Sequence, residues 1–157
     1  MLFRSYLVDE DTGEICLMEV AARGGGVFIS SHLIPLGCGI DVNELLIKTA
    51  MGQAISFDPN DINEKASGYV CFYLPEGKIR SVQGIDLVNS LPGVHNAYLD
   101  NLVVGRQSAK MMDKTMRFGP ILLAGNNRQS LQETIQKLPE TLTVEVETQE
   151  GIRGIIW

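Results

Sequence analysis

Residues 18–28 read MEVAARGGGVF and place Glu19, Arg23 and the run Gly24, Gly25, Gly26 close together in the chain. Glu19 closes the apolar run that starts at Ile15. A carboxylate at the end of a buried strand is costly unless it is solvated, paired or bound to a cation. In one reading Arg23 is its partner, and the segment is a salt-bridged turn between two elements. In the other, Glu19 holds Mg²⁺, a hard cation that takes oxygen ligands and bridges to nucleotide phosphates. Arg23 then clamps a phosphoryl or carboxylate oxygen with its planar fork of donors. The three glycines let backbone amides come close to an anion. The run fits neither GxxxxGK[ST] nor GxGxxG, so the nucleotide folds those patterns mark are not indicated. These residues by themselves leave both readings open.

Other reactive side chains offer less. Cys16, Cys38 and Cys71 are odd in number, widely spaced and set among apolar residues. They suit neither a zinc pattern nor a disulfide framework and read as packing residues. His32 and His95 stand alone in the sequence, without HxH or HExxH spacing, and read as structural histidines. The net charge of −6 argues against a partner that presents a nucleic-acid backbone, but leaves a nucleotide site open. No apolar run approaches the roughly 18–20 residues that span a bilayer, so no membrane association is expected. The N-terminal MLFRSYLVDEDTGE lacks the apolar core and cleavage site of a signal peptide, which points to the cytoplasm.

The elements that must position Glu19 and Arg23 begin with a β-hairpin. Phe3–Val8 and Ile15–Val20 are the strands, and DEDTGE is the turn between them. The second strand is almost wholly apolar and is expected to be buried on both faces. VFISSHLIPLGCG reads as a short helix ended by Pro35 and Gly37. A helix over GIDVNELLIKTAMG follows, with Asp41 as N-cap, Glu44 completing a capping box and Gly52 closing it. Its buried stripe is expected at Leu45, Leu46, Ile47, Ala50 and Met51.

The polar SFDPNDINEK is the natural boundary, and ASGYVCFYLPEGKIRSVQG after it reads as a second hairpin about PEGK. IDLVNSLPGV is a short helix, AYLDNLVVG a strand, RQSAKMMDKTMR a loop and FGPILLAG a strand. A helix capped by Asn127 or Ser130, with a capping box to Glu133, runs to Pro139; LTVEVET and GIRGIIW are strands. About seven strands and four short helices, with antiparallel hairpins at both ends, make an α+β chain rather than an alternating βαβ array.

GEICLMEVAARGGG resembles the end of the nucleotide site in ATP-grasp ligases, the superfamily that includes biotin carboxylase and carbamoyl phosphate synthase. There a hairpin delivers a carboxylate to metal-bound ATP in the form apolar-apolar-Glu-x-Asn-x-Arg followed by glycines. Leu17, Met18, Glu19, Arg23 and Gly25 match that form. GIDVNELLIKTAMG resembles the helix that follows in the family. YLPEGKIRSVQG and RFGPILLAGNNRQSLQETIQKL resemble the C-terminal module of proteins like the carbamoyl phosphate synthase large subunit and of related amino-acid ligases.

The resemblance implies that residues 1–56 are the end of an ATP-grasp catalytic domain and residues 57–157 a C-terminal antiparallel α+β module. It implies ATP and Mg²⁺ as cofactors, with Glu19 as metal ligand and nucleotide contact. Arg23 is the implied catalytic residue on the transferred phosphate or substrate carboxylate, and Gly24, Gly25 and Gly26 line the nucleotide. The implied reaction activates a carboxylate as an acyl phosphate, which an amine then attacks.

Two departures stand out: Ala21 occupies the position of the family's ligand asparagine, and the strand facing Glu19 offers Ser5, Tyr6 and Leu7, none acidic. The family's adenine-binding strand and phosphate-binding lysines have no counterpart in these residues. The implied partners are therefore an upstream ATP-grasp half, in the same gene product or a separate subunit, and a small carboxylate or amino-acid substrate. Self-association is expected where that half would dock. The alternative is a non-catalytic binding or assembly module of the same ancestry.

Overall fold

The computed structural model describes residues 3–21, 25–56 and 58–157, which form nine strands and four α-helices. Strands β1 (Phe3–Val8) and β2 (Ile15–Ala21) pair antiparallel as an isolated two-stranded ribbon. The Asp9 carboxylate nucleates its turn by accepting from Asp11 N at 3.0 Å and Thr12 N at 2.8 Å. These bonds hold the Asp9 carboxyl below its ordinary pKa, the one from Thr12 contributing most.

The expected burial of β2 on both faces is overturned. Ile15, Leu17 and Met18 are 68%, 53% and 59% exposed, and Cys16 is exposed as well, so it is not a packing residue. Among the described residues no third strand pairs with the ribbon and no element packs broadly over it. A strand's composition can declare that it wants cover, but cannot supply it.

The segment after the glycines forms a π-type turn at Ile29–Leu33 that runs into α1 (Ile34–Cys38). Pro35 lies in the first turn of α1, where its missing N–H costs nothing, and Gly37 lies within it. Gly39, at φ 79°, ends the helix instead. In α2 (Val42–Ala50), Asp41 caps the N-terminus by accepting from Asn43 N and Glu44 N, both at 3.0 Å. The Glu44 carboxylate turns to Lys48 at 2.5 Å rather than completing a box. The expected buried stripe is not buried: Leu46, Ile47 and Met51 are 50%, 61% and 66% exposed.

The remaining strands form two antiparallel sheets. β3 (Ala66–Phe72), β7 (Phe118–Gly125) and β5 (Val94–Ala97) lie in the order β3-β7-β5. β6 (Gln107–Ser108), β4 (Gly77–Gln83), β8 (Thr143–Thr148) and β9 (Gly151–Arg153) make the second, in the order β6-β4-β8-β9. The expected hairpin about PEGK is therefore not formed, because β3 pairs with β7 while β4 pairs with β8 and β6. Gly77 permits the β4–β8 pairing. Its φ is +157° and any Cβ would clash with the Glu147 carbonyl, so only glycine lets β4 lie against β8 there. The strand expected in AYLDNLVVG comes earlier, at Val94–Ala97.

Helices α3 (Ile85–Ser90) and α4 (Arg128–Thr141) complete the fold. Asn127 caps α4 in a capping box with Ser130, not Ser130 with Glu133, and the helix continues through Pro139 to Thr141. The core consists of side chains almost wholly removed from water, among them Phe72, Ile79, Val88, Ile121, Leu123, Leu138 and Val146. In β8, Val144 and Val146 face it while Thr143, Glu145 and Glu147 face solvent, the alternation of a half-buried strand. Ile121, Leu122 and Leu123 are all fully buried, as suits the central strand of its sheet.

Candidate functional site

Glu19 is exposed on β2 with Ser5 as its cross-strand partner, so no acidic residue faces it. The register shifts between Ser5 and Tyr6, whose partner is Leu17, leaving Met18 as the extra residue of a β-bulge. Bulges re-aim neighbouring side chains and recur beside functional sites; this one immediately precedes Glu19. Arg23 and Gly24 lie outside the described residues.

The described part of the glycine run opens a strained strap. A Cβ on Gly25 would lie 2.9 Å from Ile29 Cδ1, whereas Gly26 has open space around it. Val27 and Phe28 then both take positive φ, 52° and 60°. For a β-branched and an aromatic residue this is a true outlier, and such outliers cluster at ligand clamps. His32 N and Leu33 N both donate to Phe28 O, at 2.9 and 3.1 Å, which winds the following turn. π-type turns recur at functional sites. The turn is pinned to β3 by Ser67 Oγ, which donates to Leu33 O at 2.6 Å.

Within the turn, the Ser30 hydroxyl is buried and meets no hydrogen-bond partner among the described residues. An unpartnered buried hydroxyl costs about 1–3 kcal/mol. A groove of about 580 Å³ runs beside the turn, lined mainly by Ile29, Leu33, Ile34, Cys38, Ile62 and Tyr69.

Two features were invisible to spacing. Nothing in GGGVF announces that the left-handed residues are Val27 and Phe28 rather than Gly25 or Gly26. Nor does the sequence show that Phe28 stacks on Tyr98. A larger concavity, about 820 Å³, lies elsewhere, between the start of β4 and the β8–β9 turn. Lys78, Gln107, Glu147, Glu150 and Arg153 line it, and none of Glu19, Gly25 and Gly26 does. Glu147 is also paired on its own strand's surface: Arg80 Nη2 lies 2.6 Å from Glu147 Oε2 and holds the carboxyl below its ordinary range.

Among the described residues no three His, Cys, Asp or Glu side chains converge as a metal shell. Glu19 nevertheless suits Mg²⁺, which commonly takes one or two protein carboxylates and completes its shell with water and substrate phosphates.

The architecture superposes on an L-amino acid ligase from Bacillus licheniformis with a TM-score of 0.75 and 18% identity, over 94% of this chain. The fold is ATP-grasp-like. The match takes in 36% of the ligase chain, so this chain spans about a third of that protein's length. No family model and no curated protein matches the sequence. The α+β architecture of antiparallel sheets and few helices is thus that of part of an ATP-grasp fold. Among the described residues no helix is long and apolar enough to cross a membrane.

Proposed function

We propose that this chain supplies one edge of the Mg·ATP and acceptor site of an ATP-dependent carboxylate–amine ligase. The observation that supports this most is the ligase-like fold in which a bulged strand carries Glu19 near its end and a glycine-rich, strained strap follows in sequence. Glu19 contributes one oxygen ligand to Mg²⁺. Arg23 contacts the transferred phosphoryl group or the substrate carboxylate. Gly24, Gly25 and Gly26 line the nucleotide phosphates with backbone amides. Held by Glu19, the ion would supply charge neutralisation at the phosphates. ATP phosphorylates the carboxylate and leaves as ADP; the amine then displaces phosphate to form the amide. Catalysis here is positioning and charge stabilisation.

The rest of the site comes from polypeptide equivalent to the remaining two-thirds of the ligase fold, fused or separate. The bare apolar ribbon is where it docks, since an isolated two-stranded hairpin is marginal in water. Residues 1–56 belong to the catalytic domain and 57–157 form the C-terminal module. The setting is cytoplasmic, and the ribbon makes self-association of the chain alone the expected behaviour.

The second reading, a non-catalytic binding or assembly module, is favoured by Ala21 in the asparagine position and by Ser5 opposite Glu19. Carboxylate-dependent ADP release distinguishes the two. The chain alone is expected to be inactive, and the chain joined to an ATP-grasp N-terminal half active. Glu19→Gln then lowers the rate by about 10²-fold or more. No ADP release by the joined protein across a broad amino-acid panel selects the second reading.

A further inference from the structure

The fold brings together the chain's two histidines, which the sequence keeps far apart. The rings of His32 and His95 lie with centroids 6.2 Å apart and planes inclined at 63°. Each rides on a backbone irregularity. His32 sits in the π-type turn. His95 sits where β5 slips register against β7, between Val94 and Asn96, and is the bulged residue of that strand. Extra residues of these two kinds aim a side chain where a regular element would not.

The carriers are firmly held. Phe28 N-terminal to the turn stacks on Tyr98 beyond β5, and Tyr98 N donates to Pro120 O at 3.0 Å. His95 is exposed and His32 half-buried.

We infer that His32 and His95 form a binding site for a divalent transition-metal ion of the zinc, nickel and copper class. Metal–nitrogen bonds of about 2.0–2.1 Å put the centroids of two imidazoles on one tetrahedral ion roughly 5.2 Å apart. The observed 6.2 Å is wider than that, so the two rings close on the ion by a small side-chain rotation as it binds. Ser31 Oγ lies 2.8 Å from His32 Nδ1. With Nδ1–H donating to that hydroxyl, Nε2 keeps its lone pair for the metal, the usual outer-shell arrangement of a ligand histidine. Among the described residues no cluster of three ligating side chains includes the pair. The ion's other positions are therefore taken by water or by donors of a bound molecule. Imidazole ligands select these ions over Mg²⁺ and Ca²⁺, so the site is chemically separate from Glu19.

Calorimetric titration of the full chain with Zn²⁺ and with Ni²⁺ tests this, with Mg²⁺ as the negative probe. The expected result is one transition-metal ion per chain, with His32→Ala and His95→Ala each weakening it by at least about tenfold. Cys16→Ser, which removes an exposed thiol, leaves binding unchanged. In the unsubstituted protein the imidazole NMR signals of both histidines move together and saturate at one equivalent of Zn²⁺. The proposal is overturned by no binding at millimolar metal, by binding that survives either histidine substitution, by loss of binding in Cys16→Ser, or by a response from one imidazole alone.

Discussion

Phe28 and Tyr98 stack face to face, with ring centroids 4.6 Å apart and planes 4° from parallel. The pair ties the strained strap after the glycine run to the end of β5. Phe28 holds a left-handed backbone at φ 60°, which an L-residue does not adopt without compensation. The stack supplies part of it.

Removing either ring should therefore loosen the strap. Phe28→Ala is expected to lower the unfolding free energy by about 1–2 kcal/mol, combining the lost stack with lost apolar contact. Val27→Gly should do the reverse of an ordinary glycine substitution and raise stability by up to about 1 kcal/mol, because Val27 also has positive φ. Urea unfolding of the two variants checks both signs. A Val27→Gly protein clearly less stable than the parent would mean that the strap carries no backbone strain.

Gly77 should tolerate no side chain. An alanine there combines a strained φ of +157° with a clash against the Glu147 carbonyl that holds β4 to β8. A loss of more than about 2 kcal/mol is expected. Gly13→Ala is the control: its φ is +72° but nothing lies within 4 Å, so only the conformational cost of about 1 kcal/mol applies. Equal effects at the two positions would refute the close approach of the strands.

Leu138 in α4 is fully buried in the core, and truncation to alanine should cost about 2–5 kcal/mol through lost transfer energy and a residual cavity. Its neighbour Pro139 interrupts the helical ladder, since it has no N–H to donate. Pro139→Ala should leave the chain at least as stable as the parent, the restored bond outweighing the freer unfolded chain. Thermal unfolding compares the two directly.

The Arg80–Glu147 pair gives a pH signature. Arg80 donates a hydrogen bond to Glu147 and lowers its carboxyl pKa in the folded protein below the ordinary value of 4.5. A carboxylate depressed by folding contributes stability that is complete above its unfolded pKa and is lost as pH falls through the folded one. Glu147→Gln should thus be slightly less stable than the parent at neutral pH, and the two should converge on acidification below about pH 4. A gap that widens in acid would show that the pair is not the source.

The sequence alone determined what depends on neighbours along the chain. The β1–β2 hairpin, with Asp9 accepting from its own turn, is such a case, as are the Asp41 and Asn127 caps and the alternation of β8. Each involves bonds or periodicity within a few residues. The order Glu19, Arg23 and glycines is also a local fact, and it carries the resemblance on which the functional proposal stands.

What only the tertiary structure decided involves partners far away in the chain. β3 and β4 look like a hairpin from their turn, yet β3 takes β7 and β4 takes β8, because buried strands maximise contact across the whole core rather than with the nearest neighbour. The apolar stripes of β2 and α2 were legible as stripes, but their exposure was not, since burial requires a surface to bury against. The convergence of His32 with His95, and of Phe28 with Tyr98, was likewise beyond sequence spacing. It depends on a turn and a bulge whose backbone angles are set by packing against β3, β5 and β7, and packing is a property of the folded chain alone.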